Sequence, residues 1–249
     1  MSAPQSPPPA DPVEDRLDFE SLITGISARL LAAPADAIEQ SILAALEDVR
    51  VFFRADRCGL LEVSDDQQGV SVLSATSAEG VPEVYGDILL DQLFPWSRQQ
   101  LVDEGVPVHI PRTGDLPPEA AIDRASFAQM ATRSSLTVPI RGEHAVTHLV
   151  VIHAVREERD WPESRVPRLR LFGSMLVSAM RRAHAYLALR ESIDIAEREH
   201  REDLFQTSEA RLAAGVGLAG LGFYEVGEGT SVIYLDDHAS RVFGIPPDL

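Results

Sequence analysis

Apolar residues recur every three or four positions near the start of the chain, at Leu17, Phe19, Leu22, Ile23, Ile26 and Leu30. That spacing predicts an amphipathic helix over residues 17–31, and Pro34 either ends it or starts the next element. A second helix is predicted over residues 37–53, capped by Asp36, with Ile38, Ile42, Leu46, Val49 and Phe53 on one side. The period then changes from 3.6 to 2. RCGLLEVS (57–64) and VSVLSATS (70–77), joined by the turn DDQQG, read as an antiparallel hairpin.

Residues 80–133 are broken by Pro82, Pro95, Pro107, Pro111, Pro117 and Pro118. The pattern predicts a short helix over 88–102 interrupted near Pro95, a short strand at 107–111, and a helix over 118–133. The apolar face of the last includes Ala121, Ala125, Phe127 and Met130. SLTVPIR (135–141) and VTHLVVIHAV (146–155) form a second hairpin around Gly142, Glu143 and His144. The second strand is apolar almost throughout, which places it centrally in the sheet.

From Pro162 the pattern is helical for roughly 45 residues, with Gly173 its one weak point. Residues 164–190 carry arginines and no acid, and residues 191–209 reverse that balance. A stripe this long exceeds what one small domain covers, so a partner helix is expected. Leu169, Phe172, Leu176, Met180, Tyr186, Leu189, Ile193 and His200 are the residues expected on the dimer or signalling face. From Tyr186 to His200 the spacing alternates three and four, and Leu204 departs from it. Gly215, Gly217, Gly220 and Gly222 are expected to end the helix. GFYEV (222–226), SVIYL (231–235) and a short helix ending at Gly244 follow.

Composition narrows the chemistry. The 249 residues include neither Lys nor Asn; all 22 basic residues are Arg. A P-loop lysine, a Schiff-base lysine and the Lys–Asn pair of eukaryotic-type kinases are thereby excluded. The formal net charge of −17 opposes nucleic acid and anionic lipid as partners. No stretch is long and apolar enough to predict a membrane span. The N-terminal MSAPQSPPPADPVEDR lacks the pattern of a secretory signal and reads as a disordered Pro-rich leader. Cys58 is the only cysteine, so neither a disulfide nor a cysteine-based zinc site is expected. A cytoplasmic location follows.

The two amphipathic helices, ADRCGLLEVS, the proline-broken middle, SSLTVPI and THLVVIHAV together resemble a GAF domain. RDWPESRVPRLRLFGSMLVSAMRRA resembles the final helix of GAF domains that precede PAS domains in sensor histidine kinases. SEARLAAGVGLAGLGFYEVGEGTSVIYLDDHASRVFGIPPD resembles the opening third of a PAS domain. The resemblance implies an α+β fold: an antiparallel sheet with helices on both faces, a long C-terminal connector helix, and a partial PAS-like fragment. The expected division is a leader over 1–15, a GAF-like sensor domain over 16–162, a connector helix over 163–208 and a truncated PAS-like domain over 209–249. It further implies a homodimer through the first and last helices, and a pocket between the sheet and residues 80–133. The expected function is sensory input and signal relay. The output expected in the parent protein is a two-component histidine kinase core or, alternatively, a cyclic-di-GMP enzyme or transcriptional regulator.

Phe94, Trp96, Phe127, Met130 and His153 are the candidate pocket residues. Ordinary packing of helices on the sheet is the favoured reading of the first four, which are also the residues expected to line any pocket. His153 reads either as a core histidine or as a pocket wall. The Asn–Lys signature of cyclic-nucleotide GAF domains cannot occur in this chain. Bilin-binding GAF domains use a Cys beside a His in the pocket region, whereas Cys58 sits in the first strand, where a buried thiol is the ordinary role. His144 and His148 lack a third metal ligand. His200, followed by Arg-Glu-Asp, lacks the proline of a phosphoacceptor box and reads as a polar seam residue. No catalytic residue, metal or cofactor is assigned.

Overall fold

The computed structural model describes residues 12–219, 224–226, 233–235 and 237–244. They fall into two units, divided between Leu187 and Ala188.

The first unit opens with α1 (Pro12–Ala32) and α2 (Ile38–Phe52). Helix α1 begins earlier than the leader boundary at residue 15 would suggest. Asp15 lies inside it and accepts hydrogen bonds from Arg165 at 3.0 Å and from Arg168. Both guanidinium groups also lie over phenylalanine rings, Arg168 over Phe19 and Arg165 over Phe53, at about 5 Å. These contacts hold the helix in register ahead of its apolar stripe.

Strands β1 (Arg57–Val63) and β2 (Gly69–Ser77) form the first hairpin, with a bulge at Leu60/Leu61. β3 (Asp87–Leu89) pairs with the start of β2, where a helix was expected to begin. The exposed edge of β2 has unpaired backbone groups there, and a short strand satisfies them. Two short helices follow, α3 (Leu90–Leu93) and α4 (Pro95–Arg98), the second running into one π-helical turn at Gln99–Asp103. Pro95 therefore starts a helix instead of interrupting one, because the first helical position needs no N–H donor. β4 (Val108–Ile110) and α5 (Ala121–Gln129) complete the middle. α5 stops short of residue 133 because Ala131 takes a left-handed φ of 53°.

β5 (Ser134–Arg141) and β6 (Val146–Ala154) form the second hairpin. The sheet is six-stranded and antiparallel in its pairings, in the order β3-β2-β1-β6-β5-β4, so β6 is central as its composition predicts. One face carries α1, α2 and the start of α6 (Arg165–Ala219); Leu60, Val138, Val150, Ile152, Leu169, Phe172 and Leu176 meet there. The other face carries the short helices of the middle over Leu61, Val70, Phe94, Leu101, Phe127 and Leu149. This is the α+β arrangement expected.

Gly173 is where α6 comes closest to the sheet. A Cβ there would sit 2.5 Å from Val150 Cγ2 and 2.7 Å from Ile140 Cδ1. The glycine that looked like a weak point is a contact requirement. Trp161 lies at the foot of α6, buried, and donates to the Phe53 carbonyl at 3.2 Å.

The helix runs through Gly215 and Gly217 to Ala219, past the expected stop. Gly220 and Gly222 lie outside the described residues. In the second unit β7 (Tyr224–Val226) pairs antiparallel with β8 (Ile233–Leu235), followed by α7 (Asp237–Phe243). The remainder of the expected strands 222–226 and 231–235, and residues 1–11, also lie outside them.

Candidate functional site

Alternation along β1 and β6 sorts their side chains between two faces. Leu60, Val150 and Ile152 point toward the long helices. Arg57, Leu61, Leu149, Val151 and His153 line the other side, where a cavity of about 90 Å³ lies between the sheet and residues 84–130. Its walls are mainly apolar: Leu61, Val72, Ile88, Leu101, Phe127 and Val151 among them. A second, outer cavity of about 270 Å³ shares Val84, Ile88, Phe94 and Met130 with the first and is also lined by Glu83, Tyr85 and Gln129.

Arg57 and His153 are directly opposite each other in the β1–β6 register and so stand side by side on one face. Arg57 is 6% exposed. Its Nε donates to the Pro82 carbonyl at 2.8 Å and its Nη1 to the Met130 carbonyl at 3.0 Å. Burial pulls its pKa below the ordinary guanidinium value, against the opposing pull of Asp56. Asp56 nonetheless directs its carboxylate elsewhere: it accepts from the backbone N–H groups of Val155 and Arg156 and lies 3.7 Å from the Arg156 side chain. Among the described residues no ion pair includes Arg57.

His153 is buried, and its ring meets Phe127 edge-on at 6.3 Å between centroids. Burial, reinforced by the Arg57 charge, pushes its pKa down to about 3, so the ring is neutral. Ser97 also borders the cavity; its Oγ is enclosed without a hydrogen-bond partner among the described residues. Asp123, fully buried, accepts from the N–H groups of Trp96 and Ser97 at 3.1 and 2.8 Å and so caps the start of α4. That cap fixes Phe94 and Ser97 against the cavity.

Of the five pocket candidates, Phe94, Phe127, Met130 and His153 line the inner cavity together. Trp96 is not among its walls; it packs half-buried against the neighbouring core. The sequence reading missed Arg57, Ser97, Asp123 and Thr137, the last a buried residue of β5 that borders the inner cavity. Arg57 carried a readable signal, being on the same face of an inward-looking strand as Leu61.

The other candidates stay apart from the cavity chemistry. The Cys58 side chain belongs to the helix-side core, and burial pushes its thiol pKa up, which keeps it an inert thiol. His148 faces away from His153, and its Nδ1 lies 2.9 Å from Thr147 Oγ1. No group of three metal-ligating side chains occurs among the described residues. Leu169, Phe172 and Leu176, expected on the dimer face, are fully buried within their own chain and serve the domain core. Met180 packs partly buried against the same core. Tyr186, Leu189, Ile193 and His200 are exposed.

The family model for the GAF domain matches residues 38–180. The chain belongs to the GAF domain family. GAF domains are sensory and signalling domains, found in phytochromes and other signalling proteins. Solved structures share the fold. The phycocyanobilin-bound GAF domain of a cyanobacterial phytochrome is 22% identical with a TM-score of 0.57, over 68% of this chain and 96% of that one. The chromophore-binding domain of a bacteriophytochrome from R. palustris is 14% identical with a TM-score of 0.57, over 71% of this chain and 65% of that one. The free methionine-R-sulfoxide reductase of Neisseria meningitidis, solved with its substrate, is 12% identical with a TM-score of 0.53, over 75% and 96%. None of the curated proteins searched matches the chain. Among the described residues no helix is long and apolar enough to cross a membrane.

Proposed function

We propose that this chain is the sensory input and relay region of a two-component sensor histidine kinase. The GAF cavity receives a small molecule, and α6 carries the resulting change toward a PAS-like segment and a kinase core of the same protein. The chain acts as a homodimer, paired through the long helices. The observation that carries this reading is the character of α6. Its first turns bury Leu169, Phe172 and Leu176 against the sheet that walls the cavity, and it continues as one helix to Ala219. Beyond the core it exposes Tyr186, Leu189, Ile193, Leu204 and Phe205. A row of exposed apolar side chains on a long helix is stabilised by a second helix, and a pair of such helices transmits rotation or register shifts.

The test is a chimera in which residues 12–208 replace the input segment of a histidine kinase with its helical phase preserved. Autophosphorylation should depend on that phase: inserting one to three residues at the junction should change it several-fold, and a full heptad should restore it. Activity indifferent to all these insertions would contradict the reading. Restoration in a cyclic-di-GMP enzyme but not in a kinase would move the same relay to that other output.

A further inference from the structure

We propose that the inner cavity binds a short-chain monocarboxylate, its carboxylate held by Arg57 and His153 and its hydrocarbon lodged among Leu61, Val72 and Val151. This rests on the reading of the domain as a sensory input and specifies the class of its ligand.

Among the polar side chains that border this mainly apolar space, Arg57, His153 and Ser97 are each at least nine-tenths buried and keep hydrogen-bonding capacity left over. Arg57 is a buried cation outside every ion pair among the described residues. Its assigned acceptors are neutral, two carbonyls and the Thr132 hydroxyl, and they engage Nε and Nη1, leaving Nη2. The ring nitrogens of His153 engage no side chain or carbonyl among the described residues. Ser97 Oγ is enclosed and unpartnered. An unpaired buried charge is costly, and in a low dielectric a counter-ion with matched geometry relieves that cost. A carboxylate fits the guanidinium fork and accepts a further bond from an imidazole N–H.

Charge and size set the class. Among the described residues that line the cavity, Arg57 is the one arginine. A phosphate or dianion would bring more negative charge than the site balances. At about 90 Å³ the space is smaller than the roughly 150 Å³ apolar cavity that holds benzene. That fits propionate or butyrate, and the inner cavity by itself is too small for a tetrapyrrole or a nucleotide. The route in is the outer cavity, separated from the inner one by the shared residues Val84, Ile88, Phe94 and Met130. The net charge of −17 repels the ligand at a distance, but beyond about 8 Å that field is screened at physiological salt.

Methyl NMR of the full chain, following the valine methyls of residues 72 and 151, tests this with sodium propionate, sodium butyrate and butyramide. Butyramide matches butyrate in shape and lacks its charge. The acids should shift both residues saturably in the low millimolar range or below, and butyramide should bind at least about tenfold more weakly. Arg57→Met should weaken butyrate by at least about tenfold. Because Arg57 also ties Pro82 to Met130, Val151→Phe provides an independent variant; it fills the cavity, leaves Arg57 in place, and should abolish the shifts of Val72. Equal binding of butyramide, unaltered binding in Val151→Phe, or no saturation by either acid up to about 50 mM would overturn the proposal. Failure of the acids to bind while the chimera keeps its phase dependence refutes the ligand class alone; binding without phase dependence refutes the relay reading alone.

Discussion

His153 shows how a single position in a strand acquires two consequences. Facing the cavity, it loses hydration and gains Arg57 as a neighbour, and both favour the neutral ring. The unfolded chain takes up this proton near pH 6.5, the folded chain only near 3. The contribution to stability is thus fully present above pH 6.5 and is lost as pH falls from there toward 3. Within that window the wild type should lose stability more steeply than His153→Gln, by about 1 kcal/mol per pH unit, in urea titrations at successive pH values. Parallel slopes would show that the ring protonates in the folded state. At this scale the sequence was partly legible. Strand period placed His153 opposite His148, and the face it chose is the one with the cavity. Arg57 escaped notice because a charged residue in a strand is ordinarily at a solvent-facing position, and nothing in local sequence says that the middle of the chain folds over it. Ser97 and Asp123 were hidden for the same reason: a 26-residue separation joins them, through the cap of α4.

Elements were legible where their hydrophobic period was long and unbroken. Both hairpins, α1, α2 and the long helix occur where expected, though α1 starts earlier and the long helix runs further than expected, whereas residues 80–133 resolve into pieces of three to nine residues. Pieces that short take their form from tertiary partners, as β3 does from the β2 edge. Gly173 was misread because propensity counts only the helix and ignores the sheet beneath it. Gly173→Ala gains about 1 kcal/mol of helix propensity but forces a methyl into Val150 and Ile140. Overpacking costs about 1–3 kcal/mol, so the net effect expected in denaturant unfolding is a loss of up to about 2 kcal/mol. A stabilised variant would mean that α6 does not approach the sheet this closely. Further along α6, the step of four residues from His200 to Leu204 repeats the preceding step of four from Ala196. In a paired helix such an irregularity unwinds the supercoil locally.

On the scale of the whole molecule, the two units differ in what supports them. The GAF sheet has six strands with helices over one face and the cavity-forming segments over the other. The second unit pairs two three-residue strands among the described residues. A two-stranded ribbon is marginal on its own. Amides of Tyr224 and Ile233 should therefore exchange with solvent orders of magnitude faster than that of Val151, which lies between β1 and β5. Comparable protection would mean that the C-terminal unit is a stable domain in its own right.

The central claim is that α6 pairs with α6 of a second, parallel copy so that a change in the GAF domain reaches the output. Cysteine scanning over residues 186–200 addresses it directly, because the natural Cys58 is buried and stays out of the reaction. A homotypic disulfide needs Cα atoms within about 7 Å, which only seam positions of a parallel pair provide. Under mild oxidation, cysteines at Tyr186, Leu189, Ile193, Ala196 and His200 should cross-link two chains, and cysteines at Arg190, Asp194 and Glu197 should not. Cross-linking without this periodicity, or none at any position, would contradict the paired helix and with it the relay.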